Sequence, residues 1–143
     1  MKLELLFNGV SPVSLNNSTG ISSRGKFVTK YKNQNYKILE SKVNNILRNY
    51  RHEINKFNKK YDENLNYLTV DYRFYYPILI KSGKRISKTS KDWSNLVKTV
   101  EDCIHKHLEA DDSQVISGSS TKIQSLEPRI EVDIYLRELR AIL

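Results

Sequence analysis

The chain has 143 residues, 38% of them hydrophobic and 28% charged, which is typical of a single globular domain, here residues 1–143. No apolar run reaches the ~18 residues of a membrane-spanning helix, and we expect no signal peptide. The single cysteine, Cys103, excludes a disulfide framework and fits a reducing cytoplasm. Because 24 Lys+Arg outnumber 16 Asp+Glu, the net charge of +8 favours nucleic acid as a partner, with a merely soluble basic surface as the alternative.

The hydrophobic pattern of the first half predicts a strand, a long loop, a helix and a second strand. Residues 2–8 are short and apolar-rich, which predicts the first strand, and residues 9–35 are rich in Gly, Ser and Asn, which predicts the loop. Residues 36–60 repeat apolar side chains at spacings of three and four, which predicts one continuous helix. Strict alternation over 66–77 predicts a half-buried strand that ends at Pro77.

The second half continues with a loop, a helix and two strands. Residues 81–91 contain five Lys/Arg and predict a mobile basic loop, and residues 93–108 predict a second helix. Residues 113–123 predict a strand weakly, whereas 129–137 alternate clearly. The order β-α-β-α-β-β predicts an α/β (α+β) domain, in which a mixed sheet of about four strands packs against two main helices.

Two basic segments are candidates for DNA contacts. Lysine and arginine neutralise phosphates, and aromatic rings interleaved with them can stack on bases. Solvated basic loops would have the same composition. The candidates are Arg24, Lys26, Lys30 and Lys32, interleaved with Phe27 and Tyr31, and Lys81, Lys84 and Arg85 in the loop 81–91.

The stretch 91–114 brings together the residue types that phosphodiester hydrolysis needs. Magnesium prefers carboxylate and phosphate oxygens, a bound ion activates water, and a nearby lysine adds a fixed positive charge. In sequence order the candidates are Asp92 just before the helix, Asn95, Lys98 and Asp102 on one helix face, and Asp111 and Asp112 beyond the helix end.

Ordinary structural roles explain the same residues without any metal. Asp92 can cap the helix, Asp111-Asp112 can form a turn, and Lys98 with Asp102 can form a surface ion pair. His105 and His107 lie two apart on a helix, which makes a poor metal pair and favours surface histidines. Trp93 and Cys103 fall on the apolar side and are expected in the core.

The order of these residues resembles the motif of the RusA family of Holliday-junction resolvases. That motif reads Asp-x-Asp-Asn-x-x-Lys, an Asp four residues on, and then Asp-Asp-x-Gln. The N-terminal GVSPVSLNN is similar to the family's opening loop, in which a Pro and a Ser precede an Asn, here Asn16. The departure is Ser94, which stands where the family has its second Asp. The residues in register are Asp92, Asn95, Lys98, Asp102, Asp111, Asp112 and Gln114.

The resemblance implies a homodimeric, Mg²⁺-dependent endonuclease that cuts four-way DNA junctions in recombination and repair, with Mn²⁺ as a possible substitute. It implies Asp92, Lys98 and Asp112 as catalytic residues and a bacterial host cell, with a phage or prophage origin. Asp92 and Asp112 are the implied metal ligands. Asp111, Asp102 and Ser94 are further candidates for the metal, and Asn16 and Asn95 for DNA contacts. Neighbouring acids, namely Glu101, Asp102 or Asp111, could compensate for the missing carboxylate at Ser94.

Two other functions stay open. Because a neutral hydroxyl is a poorer Mg²⁺ ligand than a carboxylate, Ser94 is also compatible with a relative that binds branched DNA without cutting it. A basic RNA-binding protein is the third possibility, but the sequence has no RRM, KH or double-stranded-RNA signature.

Overall fold

The computed structural model describes residues 1–14, 19–24, 27–32, 34–88 and 91–143, with the backbone alone for 19–24, 27–32 and Ser94. The predicted α+β class is confirmed. The strands are β1 (Lys2–Asn8), β2 (Thr19–Arg24), β3 (Phe27–Lys32), β4 (Asn66–Tyr76), β5 (Val115–Gln124) and β6 (Arg129–Glu138), and the helices are α1 (Gln34–Leu47), α2 (Arg51–Lys60) and α3 (Trp93–His105).

The main sheet has four strands in the order β1-β6-β4-β5. Strand β6 is antiparallel to both β1 and β4, whereas β5 is parallel to β4, so the predicted mixed sheet is confirmed. Parallel neighbours need a crossover connection, and α3 supplies it between β4 and β5. The crossover places α3 and the turn after it on the helix-covered face of the sheet.

Alternation along β4 and β6 builds the core. Leu68, Val70, Tyr72 and Phe74 of β4 are buried, as the period of two predicts, and the apolar positions of β6 are buried beside them. The helices cover this face with apolar stripes. Their buried side chains are Tyr36, Leu39, Val43 and Leu47 of α1, Ile54 and Phe57 of α2, and Leu96, Val100, Cys103 and Ile104 of α3.

Two predictions from the first half of the chain are wrong. The predicted loop 9–35 contains β2 and β3, which pair antiparallel as a second, two-stranded sheet. Its Gly/Ser content suggested a loop, but FVTKYK is rich in β-branched and aromatic residues, which favour strands. The predicted helix 36–60 is interrupted by a 3-10 turn at Arg48–Tyr50. There the Tyr50 hydroxyl accepts a hydrogen bond from the Leu6 backbone N–H of the edge strand β1.

The second half corrects one further expectation, on Trp93, and adds detail to another. Trp93 is 53% exposed rather than buried, because it begins α3 and its indole N–H donates to the Ser120 carbonyl on β5. The segment predicted as a mobile basic loop contains a closed turn. Ile80 and Arg85 are joined there by a backbone hydrogen bond of 3.0 Å, and Gly83 adopts a positive φ of 71° that favours glycine.

Within the described ranges, no helix is both long enough and apolar enough to span a membrane.

Gly118 is expected to be intolerant of a side chain, because β5 lies close against β4. A Cβ at Gly118 would stand 2.6 Å from the Val70 carbonyl oxygen and 2.8 Å from Val70 Cγ2. Gly118→Ala should lower the free energy of unfolding by about 1–3 kcal/mol through overpacking, measured by urea denaturation. Ser117→Ala, at an exposed neighbouring position, is the control. Equal stability of both variants would mean that β5 does not lie against β4 as described.

Candidate active site

Lys98 lies at the centre of a group of carboxylates on the exposed side of α3. Its Nζ is 2.9 Å from Asp112 Oδ2 and 3.1 Å from Asp102 Oδ1. Glu101 contributes a third carboxylate, with its Oε1 at 3.7 Å from the same ammonium. Ligand oxygens of the three carboxylates all lie within 4.8 Å of one another. We call Glu101, Asp102 and Asp112 the acidic group.

Helix geometry explains two members of the acidic group. Residues three and four positions apart on a helix are neighbours on its surface, so Glu101 and Asp102 both reach Lys98. The predicted Lys98–Asp102 ion pair is thus present. Asp112 comes from the 3-10 turn after the helix, fourteen residues beyond Lys98, so no helical spacing could place it there.

The turn that carries Asp112 is held in place by hydrogen bonds from three helices. Asn58 of α2 donates to the His107 carbonyl at 3.1 Å and accepts from the Glu109 backbone N–H at 3.0 Å. His105 Nδ1 donates to the Ala110 carbonyl at 2.8 Å, and His107 Nε2 is 3.1 Å from Asn44 Oδ1 on α1. The two histidines therefore contribute to this turn, and both are half-buried rather than fully at the surface.

The N-terminal end of α3 is fixed separately. The buried hydroxyl of Thr99 donates to the Val13 carbonyl at 2.7 Å, which ties the N-terminal loop to the helix. Asp92 occupies the N-cap position without a capping hydrogen bond from its side chain. Its Oδ2 instead lies 3.4 Å from the side-chain amide of Asn95.

The pKa values of Lys98, Glu101 and Tyr72 are all raised, but not for the same physical reason. Hydrogen bonds to Asp112 and Asp102 raise the pKa of Lys98, so the ammonium form is favoured. Burial raises the pKa of Glu101, whose side chain is 15% exposed against 42% for Asp102. Burial also raises the pKa of Tyr72, and the negative charges of Glu101, Asp102 and Asp112 raise it further.

The predicted site residues separate into two places along α3. Asp112, Lys98 and Asp102 meet at the acidic group, whereas Asp92 is at the helix start and is not a member of that group. Asp111 accepts a hydrogen bond from the Ser113 hydroxyl at 2.7 Å, which lowers its pKa. It too is outside the acidic group as far as the described residues go.

The predicted DNA-contact residues are only partly described. Lys81, Lys84 and Arg85 are exposed in the turn between β4 and α3. Asn16 and Lys26 lie outside the described residues. For Ser94, Arg24, Lys30 and Lys32 the backbone alone is described.

Two contributing residues, Thr99 and Asn58, were not predicted, and Glu101 was expected only as a neighbouring acid that could compensate for Ser94. Glu101 is a member of the acidic group, and its signal was its position three residues after Lys98. Thr99 lies three residues after Leu96 and four before Cys103 on the buried face of α3, and a polar residue on an apolar face indicates a buried hydrogen bond. Asn58 gave no signal, because its partners lie about fifty residues away in sequence.

Comparison with known families supports the motif. The family model described as Endodeoxyribonuclease RusA matches residues 10–135, which is most of the 143-residue chain. The match includes α3, the turn after it and the whole acidic group. Among curated proteins, none matches the chain.

The half-buried carboxylate of Glu101 should make stability depend on pH in metal-free buffer. A folded-state pKa raised by burial means that ionisation disfavours the folded state. This energetic penalty is absent below the pKa that the Glu101 carboxyl has in the unfolded state. It grows as the pH rises through the pKa of the same carboxyl in the folded state. Glu101→Gln should therefore be more stable than wild type at about pH 7, with a smaller difference at about pH 4. Urea denaturation in buffer with a chelator measures the free energy of unfolding of both proteins at each pH.

The matched control is Glu109→Gln, at an exposed position in the turn after α3. Its effect should stay within about 0.5 kcal/mol at both pH values. A loss of stability in Glu101→Gln at neutral pH would show that the contact with Lys98 outweighs the cost of burial.

Proposed function

The chain belongs to the RusA family of endodeoxyribonucleases, and on that premise we propose that it is a Mg²⁺-dependent nuclease that cuts four-way DNA junctions in recombination and repair. The observation that carries the proposal is the contact between Lys98 and Asp112 at 2.9 Å. These two motif residues are far apart in sequence, yet they meet at one point on the surface. Two further carboxylates converge on the same point.

The donor set fits a divalent metal ion. Magnesium takes hard oxygen ligands, and the acidic group offers three carboxylates with ligand atoms within 4.8 Å of one another. The buried Tyr72 hydroxyl has no hydrogen-bond partner among the described residues. A bound ion would supply an activated water and neutralise charge on the phosphate oxygens. We propose Asp112 as a ligand, and Asp92 remains a predicted one.

Lys98 is proposed to act on the reacting phosphate. Its ammonium is held in its charged form by Asp112 and Asp102, and its side chain is 45% exposed. A fixed positive charge beside a phosphodiester stabilises the negative charge that develops as the bond breaks. Asp112 and Asp102 orient the ammonium, so they are expected to affect the rate through Lys98 as well.

The surrounding charge is suited to DNA. The chain has a net charge of +8, and Lys81, Lys84 and Arg85 are exposed in the turn that leads to α3. Acidic side chains would repel the phosphate backbone unless a cation stood between them. A metal ion at the acidic group removes that conflict, which supports the metal dependence.

We also propose that the active form is a homodimer. A four-way junction presents two equivalent strands to be cut, and two sites related by a twofold axis match that symmetry.

Ser94 favours a second candidate, a family member that binds branched DNA without cutting it. The serine provides a neutral hydroxyl where the family has a carboxylate, which reduces the negative charge available to a metal ion. Junction cleavage by the wild-type protein and by Ser94→Asp distinguishes the two candidates. If the wild-type protein does not cut junctions but Ser94→Asp does, the second candidate is correct.

Cleavage of a synthetic four-way junction tests the first candidate. The wild-type protein with Mg²⁺ or Mn²⁺ should cut two opposite strands, and linear duplexes of the same sequence should stay intact. Asp112→Asn and Lys98→Ala should each lower the cleavage rate about a hundredfold or more, because each removes charge that acts in the transition state. Junction affinity, measured by fluorescence anisotropy, should change much less. Equal rates for wild type and Lys98→Ala would contradict the proposed role.

Junction binding should depend strongly on salt, with a contribution from the turn 81–85. Each neutralised phosphate adds about −0.9 to the slope of log K against log salt. Replacing Lys81, Lys84 and Arg85 together by Ala should therefore make the slope shallower by up to about 3. The matched control replaces three exposed lysines of α2, namely Lys56, Lys59 and Lys60. An equally shallow slope in both triple variants would mean that the protein's overall charge, rather than this turn, binds the DNA.

A further inference from the structure

We infer that Glu101 supplies the carboxylate that the chain lacks at Ser94, so that Glu101, Asp102 and Asp112 together hold the divalent ion. The family motif places its second Asp four residues before the lysine, one helical turn towards the start of α3. In this chain the carboxylates near Lys98 lie three and four residues after it. The ion site is thus moved to the other side of the lysine. This inference rests on the metal dependence proposed above.

The geometry brings the three carboxylates of the acidic group within reach of one ion. Oxygens bound to one Mg²⁺ ion lie about 2.1 Å from it, and therefore no more than about 4.2 Å from one another. The three carboxylates are already within 4.8 Å, so small side-chain adjustments bring them into range. Asp92, at the start of α3, is not a member of this group among the described residues.

The Tyr72 side chain is an independent sign of a ligand at this place. It is 1% exposed, and its hydroxyl has no hydrogen-bond partner among the described residues. The negative charges of Glu101, Asp102 and Asp112 raise the pKa of this hydroxyl, so it lies within electrostatic range of the acidic group. A buried hydroxyl usually has a partner, and an ordered water or ion is the usual explanation when protein atoms provide none. A metal-bound water would donate a hydrogen bond to this hydroxyl, or a metal-binding carboxylate would accept one from it.

The burial of Glu101 also needs a cation. Its side chain is only 15% exposed, and its distance of 3.7 Å to Lys98 is the longest of the three. A buried carboxylate is costly unless an opposite charge compensates it. Lys98 has shorter contacts with Asp112 and Asp102, so it compensates Glu101 least. A divalent ion shared by all three carboxylates provides the missing charge.

Binding of Mn²⁺ to the full-length protein without DNA tests the inference. The loss of the free Mn²⁺ signal in electron paramagnetic resonance gives the dissociation constant, independently of any nuclease activity. Glu101→Gln should weaken Mn²⁺ binding at least tenfold. The matched control Glu109→Gln, at an exposed position outside the acidic group, should change it less than threefold. A thermal melt of each variant without metal verifies that it is folded.

Two results would overturn the inference. One is Mn²⁺ affinity that is unchanged in Glu101→Gln but lost in Asp92→Asn, which would place the ion at the start of α3. The other is a wild-type protein that binds no Mn²⁺. Failure of the proposed function is distinguishable, because Mn²⁺ binding that depends on Glu101 in a protein that cuts no junction supports the inference and contradicts the nuclease. Metal-dependent cleavage that is unaffected by Glu101→Gln supports the nuclease and contradicts the inference.

Discussion

The ammonium of Lys98 holds together three carboxylates that would otherwise repel one another. Two of them belong to its own helix, and Asp112 belongs to the turn that follows. Like charges within a few ångströms repel by about 1–4 kcal/mol at the effective dielectric constants of protein surfaces. The lysine therefore does more than join two side chains. It allows the acidic group to exist in the folded protein before any other cation arrives.

This arrangement suits a protein that must bind a polyanion through an acidic surface. Most of the chain is basic, and the acidic group is a local reversal of that charge. In the proposed function, a divalent ion that neutralised the carboxylates would weaken the attraction of Lys98 to them and leave its ammonium available to the phosphate backbone. The same side chain can then stabilise the acidic group without metal and assist the reaction with it.

The parts of the fold that depend on simple periodicity could be predicted from the sequence. The alternation in β4 gave both its limits and its buried face, because side chains of a strand point alternately to opposite sides. The break at Arg48–Tyr50 could not be predicted, since the apolar spacing continues through it from Leu47 to Ile54. Trp93 was misplaced because periodicity assigns a helix face but not how far the first turn extends beyond the core.

The site was predictable where neighbours in space are neighbours on a helix. The pair Lys98–Asp102 follows from a spacing of four. Asp112 could be connected with Lys98 only through the family motif, because the contact depends on the course of the turn after α3. That course is set by Asn58 and the two histidines, whose hydrogen bonds no local pattern reveals.

The position of β6 in the sheet has a consequence for the order of folding. It is the last strand of the sheet in sequence, yet it lies between β1 and β4. While the chain is being synthesised, β1 has no strand to pair with until β6 has left the ribosome, although α3 and the turn with Asp112 are already complete. Pairing of such distant segments is slow, and unpaired strand edges promote aggregation. A chaperone that shields β1 and β4 during this interval would therefore increase the yield of folded protein.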